Sequence, residues 1–188
     1  MLPRSVHGQK PASAIALVGF MGAGKTTVGQ ALALRLGWQF ADLDQLIEQR
    51  RGCTIPEIFR QEGEKIFRDL EFSLLSETIG AAGSGRLVLA LGGGAFAGEK
   101  IRGLLQRTNV AAVCLDAPVE ELYQRCDQPG VVRPLRTSLE EFRRLYEKRR
   151  PSYEQAKLLI STGGKQVDVI VGQIISELKL MPNRGVAE

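Results

Sequence analysis

The sequence predicts an α/β fold with a five-stranded parallel sheet and helices on both faces. Short apolar runs alternate with longer amphipathic stretches along the chain. Strands separated by helices are joined by right-handed crossovers and build parallel sheets. The first apolar run breaks into a glycine-rich turn and then a helix. The chain has 188 residues, 44% of them hydrophobic, which is enough for one domain with a real core and unlike a disordered segment.

Each element has its own signal. Residues 14–20, AIALVGF, are a buried strand. A helix follows over 24–36, with Val28, Leu32 and Leu36 on one stripe. WQFADLD, residues 38–44, is a second short strand that ends in acids, with a helix beginning near Leu43. Thr54 opens a short helix, because Glu57 three residues on completes a capping box. Residues 64–82 form a longer helix whose inner face carries Phe67, Leu70, Leu74 and Leu75.

RLVLALGGG, residues 86–94, is the third strand, and VAAVCLDAP, residues 110–118, is the fourth. Pro118 suits the first turn of the next helix, where no backbone N–H is needed. Residues 126–138, rich in Pro, Gly and Arg, predict a loop. Ser138 with Glu141 is another capping box and opens a helix to about residue 156. Residues 157–161, KLLIS, are the fifth strand, and 167–180 are the closing helix. Residues 1–12 and 181–188 are expected to be flexible termini.

Composition excludes several classes. The net charge is +4, but Arg and Lys are spread along the chain, with no basic block or aromatic-basic pattern for nucleic acid. Cys53, Cys114 and Cys126 fit neither a metal knuckle nor a disulfide framework, so a reduced, cytoplasmic setting is expected. His7 is the only histidine, which rules against a Ser-His-Asp triad or a multi-His metal site. The leader lacks the apolar stretch of a secretory signal, and no apolar run reaches membrane-span length.

GFMGAGKT, residues 19–26, satisfies the G-x-x-x-x-G-K-[ST] pattern between an apolar strand and an amphipathic helix. Glycines let backbone N–H groups curl around phosphates at a helix N-terminus. Lys25 would reach the β- and γ-phosphates, and the Thr26 hydroxyl would ligate Mg2+. The dinucleotide fingerprint fails, because Thr27 stands where its third glycine belongs. This loop predicts a nucleoside triphosphate and leaves switch, motor and kinase open.

In parallel sheets ligands bind at the carboxyl ends of strands, so the segments after Gly19, Phe40, Leu91 and Leu115 share one rim. Asp42 and Asp44 stand two residues apart at such an end. If the strand persisted, both would face the phosphate site, one holding Mg2+ through water and one taking a proton. Helix capping is the competing reading. Glu64, Arg68 and Glu71 fit either a site or a solvated ion-pair helix. Arg133 precedes Pro134 in the expected loop, where an arginine can stabilise a transferring phosphoryl group. The third strand ends in Gly92, Gly93 and Gly94 with no acid, which suits a small polar ligand lying against the main chain.

Together these segments resemble the shikimate kinase family over about residues 14–180: GFMGAGKTTVG, DLDQLIE, GEKIFRDLE, LALGGGA, RPL from Arg133 and RRPSY from Arg149. The resemblance implies a P-loop, nucleoside-monophosphate-kinase-like three-layer α/β/α fold. It implies transfer of the ATP γ-phosphoryl group to the 3-hydroxyl of shikimate, on the route to chorismate and aromatic amino acids. A gluconate kinase-like enzyme of the same fold is the alternative, and a nucleotide switch would leave Asp44, Arg68 and Arg149 as spare charges.

By resemblance, Asp44 is the base and holds the shikimate hydroxyls, while Arg68 and Arg149 hold its carboxylate. Gly92, Gly93 and Gly94 present backbone to it. Gly22, Ala23, Gly24, Lys25, Thr26 and Thr27 take ATP, with Arg125 and Gln166 on the adenine side. Arg133 touches the phosphates and joins Asp44 and Lys25 in catalysis; Thr26 and Asp42 hold Mg2+. One kinase domain over 13–180 is expected, with a substrate region at 43–72, a lid at 127–137 and a monomeric state. Two departures from the family pattern stand at Arg136 and Gln166. Among the glycines, Gly93→Ala is expected to raise the shikimate KM far more than the ATP KM.

Overall fold

The computed structural model describes residues 14–83, 86–126 and 138–181. The expected lid, with Arg133 and Arg136, and nearly all of the expected flexible termini lie outside these residues. Five strands form one sheet in the order β2-β3-β1-β4-β5, with every pairing parallel. β1 (Ala14–Val18) is central and wholly buried, as an uncharged strand covered on both faces should be. β2 (Gln39–Asp42) and β3 (Leu87–Ala90) lie on one side of it, and β4 (Val110–Asp116) and β5 (Leu158–Ser161) on the other.

α1 (Lys25–Leu36) packs Val28, Leu32 and Leu36 into the core, the stripe its sequence presents. The turn before it depends on Gly19, at φ 133°, where a Cβ would stand 2.2 Å from the Leu115 carbonyl oxygen. No other residue fits there. α2 (Leu43–Arg51) and α3 (Ile55–Ala82) form an arm over the carboxyl end of β2. Glu48 accepts the Ile55 N–H at 3.0 Å, and Arg50 pairs with Glu77 at 2.8 Å, tying the two helices together. The Glu57 carboxylate takes both the Thr54 N–H and the Thr54 hydroxyl, so the expected cap forms.

The sequence separates a short helix from one starting at residue 64, and the structure joins them across Gly63. Its φ of 81° and ψ of 169° break the helical path without ending the element. Two elements escape the sequence reading, a 3₁₀ turn (Ala95–Ala97) and α4 (Glu99–Arg107). α4 buries only Ile101 and Leu105, starts without a side-chain cap and carries Gly103, a poor helix former, in its middle. The chain closes with α5 (Val119–Cys126), α6 (Leu139–Tyr153) and α7 (Val167–Glu177). Ser138 and Glu141 cap α6 reciprocally, as their spacing predicts. Among the described residues no helix is long and apolar enough to cross a membrane.

Candidate active site

All five strands run the same way, so their carboxyl ends gather Gly19, Asp42, the Gly92–94 turn and Asp116 on one rim. Two cavities open there. The first, about 430 Å3, lies over the start of α1 and is bordered by Gly22, Gly24, Lys25, Thr26 and Thr27. No side chain caps α1, and the first N–H groups of a helix have no intrahelical acceptor, so the helix end faces this cavity as an anion site. Lys25 reaches back over the loop to the carbonyls of Gly19 at 3.0 Å and Phe20 at 2.9 Å. Ala23 is buried and donates its N–H to Phe20 at 3.3 Å, shaping the loop from beneath.

Arg125 also borders this cavity. It donates to the Gly22 carbonyl at 3.4 Å, to both oxygens of Thr162 and to Glu121 at 2.5 Å. It thus joins the phosphate loop to the segment after β5. Gln166 is the N-cap of α7 and borders neither cavity.

Asp42 and Asp44 correct a geometric expectation. β2 stops at Asp42, so the two side chains do not share a strand face. Asp42 Oδ1 accepts the N–H groups of Asp44 and Gln45 and caps α2, while its Oδ2 takes the Thr26 hydroxyl at 2.7 Å. The capping reading and the site reading therefore hold together. A hydroxyl and a carboxylate in contact beside a phosphate loop are hard oxygen donors. Among the described residues no group of three or more His, Cys, Asp or Glu could hold a metal alone. That donor set suits an ion that keeps waters and phosphate oxygens, as Mg2+ does, better than a caged ion.

The second cavity, about 350 Å3, lies between the α2–α3 arm and the end of β3. Two arginines line it. Arg68 pairs with Glu71 at 2.8 Å and Glu64 at 3.2 Å, and Arg149 donates to the Gly93 carbonyl at 3.2 Å. The Arg149 guanidinium lies 5.7 Å from the Phe20 ring centre, a cation–π contact. Both guanidinium groups crowd Gly94. Met21, Ile55, Phe59 and Phe67 supply apolar wall, which the sequence reading did not assign to a site. Phe67 carries the one legible signal, since its periodicity already turned it inward.

Glu71 is more unusual than its spacing suggests. It is 1% exposed, and its Oε1 has no hydrogen-bond partner among the described residues. Burial raises its carboxyl pKa above the ordinary 4.5, outweighing the pull of Arg68. The folded chain therefore keeps this proton to higher pH than the unfolded chain. The stability Glu71 contributes is present below 4.5 and is lost as pH rises through the raised value. The stability of wild type relative to Glu71→Gln should therefore fall as pH rises from about 4.5 through the raised value. Urea midpoints of both proteins at each pH measure this. A relative gain for wild type would mean that the Arg68 pair outweighs burial.

The cavities meet. Thr26, Asp42, Asp44 and Gly93 border both, so a phosphate on the loop and a group in the second cavity would face each other across Asp44. The shikimate kinase family model matches residues 21–179. The shikimate kinase of Persephonella marina is 41% identical over 88% of this chain and 98% of its own length. That of Thermus thermophilus is 40% identical over 90% of this chain and 91% of its own. The solved shikimate kinase of Acinetobacter baumannii, in complex with shikimate, is 37% identical with a TM-score of 0.81, covering 88% of this chain and 92% of that one. The family match takes in the phosphate loop from Met21 on, the α2–α3 arm, the glycine turn and α6, and the chain belongs to the shikimate kinase family.

Proposed function

We infer that the chain transfers the γ-phosphoryl group of ATP to the 3-hydroxyl of shikimate, giving shikimate 3-phosphate and ADP, with ATP in the phosphate-loop cavity and shikimate in the cavity beside it. The observation that carries this arrangement is the shared border at Asp44. Phosphoryl transfer needs positioning and charge neutralisation, with no covalent nucleophile from the protein. Backbone N–H groups at the start of α1 and the Lys25 ammonium receive the phosphates. Thr26 and Asp42 would hold Mg2+, which when bound neutralises phosphate charge.

Asp44 accepts the proton of the attacking hydroxyl and holds it toward the phosphate cavity. Arg68 and Arg149 match the substrate carboxylate, since planar guanidinium groups bind carboxylates through paired donors. The apolar wall covers the carbon ring. The resemblance adds Arg133 on the phosphates and Gln166 on the adenine side as further assignments. The reading takes the chain as a single kinase domain that acts as a monomer.

ADP release should be measured with ATP and Mg2+ against a panel of hydroxylated acids and nucleoside monophosphates. Shikimate should stimulate it; no stimulation above the buffer blank would sink the reading. Arg68→Ala should raise the shikimate KM about 10- to 100-fold, the loss of a charge-assisted hydrogen bond, and leave the ATP KM within about twofold. An unchanged shikimate KM would remove Arg68 from the carboxylate site.

A further inference from the structure

Tyr153 ends α6 one helical turn after Arg149, so both side chains lie on one face of the helix. Both donate to a single acceptor, the Gly93 carbonyl: Arg149 through Nη1 at 3.2 Å, and Tyr153 through its hydroxyl. We propose that Tyr153 is a positioning residue for the acceptor substrate, fixing the Gly93–Gly94 peptide and the Arg149 guanidinium without touching the substrate itself. The inference rests on placing the acceptor in the cavity lined by Gly92, Gly93, Gly94, Arg68 and Arg149.

The physical need is plain. Three consecutive glycines have no side chains to restrain them, and glycine has more backbone freedom to lose than any other residue. A trans peptide points its C=O and N–H in opposite directions, so a carbonyl anchored on α6 turns the Gly94 N–H away from α6. The same carbonyl holds one arm of Arg149, leaving Nη2 of that residue beside Gly94. Tyr153 is 4% exposed, and burial pushes its phenol above the ordinary value, so the hydroxyl stays a donor through the neutral range.

α6 has a second anchor that separates positioning from simple helix docking. Tyr146 donates to the Asp116 carboxylate at 3.1 Å, at the end of β4, rather than to the glycine turn. Tyr146→Phe thus removes a hydroxyl bond from the same helix without freeing Gly93.

The test uses the full chain and steady-state kinetics. Tyr153→Phe should raise the shikimate KM about three- to tenfold, the loss of one buried hydrogen bond, with the ATP KM within about twofold. Tyr146→Phe should raise the shikimate KM less. Equal rises in the two KM values of Tyr153→Phe, an unchanged shikimate KM, or the same effect from Tyr146→Phe would each overturn the proposal. Arg68→Ala is run alongside. If it weakens shikimate while Tyr153→Phe does not, the positioning role alone fails. If neither does, the placement of the acceptor fails and takes the proposal with it.

Discussion

Asp44→Asn is expected to lower kcat by about 10²–10⁴-fold, the range for losing a positioned general base, while ADP binds nearly as well as to the wild type. Asparagine has almost the same shape and cannot take the proton of the attacking hydroxyl. The backbone N–H of residue 44, which Asp42 caps, is untouched by the change. The phosphate loop also stays intact, because Lys25 reaches the Gly19 and Phe20 carbonyls and Thr26 reaches Asp42, without using the Asp44 side chain in those bonds. Turnover and ADP affinity should therefore separate. Single-turnover kinetics and ADP titration calorimetry on the same preparation measure both. A collapse of ADP affinity would place Asp44 on the metal or the loop, and the proton-accepting role would be lost.

The separation matters because Asp42 and Asp44 look alike in the sequence and do different work in the fold. Two acids at a strand end were legible as a pair, and their division of labour was not. It depends on β2 stopping at Asp42, which turns one carboxylate into a helix cap bonded to Thr26 and carries the other into the first turn of α2. Strand ends are set by tertiary pairing, here with β3 through Asp42 and Ala90, and no local spacing encodes them.

The same contrast runs through the molecule. β1, β3 and β4 were legible as strands because burial on both faces leaves little room for polar residues, whereas the partly exposed β2 and β5 were legible only as short runs between helices. The phosphate loop was legible because its glycines, lysine and threonine are local. α4 was not, since it is only nine residues long, starts without a side-chain cap and carries a glycine at its centre. Glu71 shows the limit most clearly. Its spacing from Arg68 fits an exposed ion pair, and Glu64 at the matching position on the other side is largely exposed. Packing alone buries one carboxylate and leaves the other in solvent. The apolar wall likewise comes from folding the α2–α3 arm against the rim.

The glycine turn yields the second large effect and changes which glycine matters. The sequence singled out Gly93, yet a Cβ there would meet its nearest neighbour, the Met21 backbone N, at 3.4 Å, an ordinary contact. At Gly92 a Cβ would stand 2.6 Å from Asp44 Oδ1, and at Gly94 it would stand 2.8 Å from Arg68 Nη2 and 3.2 Å from Arg149 Nη2. None of the three glycines has positive φ, so alanine costs no backbone strain there. The clashes fall on tips of side chains that can swing aside, so the fold should survive with a nearly unchanged melting temperature. What moves is the chemistry. Gly92→Ala displaces Asp44, the proposed proton acceptor, and displacement by about 1 Å can cost about 10²-fold in rate, so kcat should fall by about that factor. Gly94→Ala pushes the guanidinium pair off the substrate carboxylate and should raise the shikimate KM about 10- to 100-fold, with a smaller change in kcat. Gly93→Ala should change either constant by no more than a few-fold. Steady-state kinetics of the three variants, with melting curves to show that each is folded, read this order directly. If Gly93→Ala proved the most damaging of the three, bare backbone against the substrate would be the turn's main role, and the clearance of Asp44, Arg68 and Arg149 would be secondary.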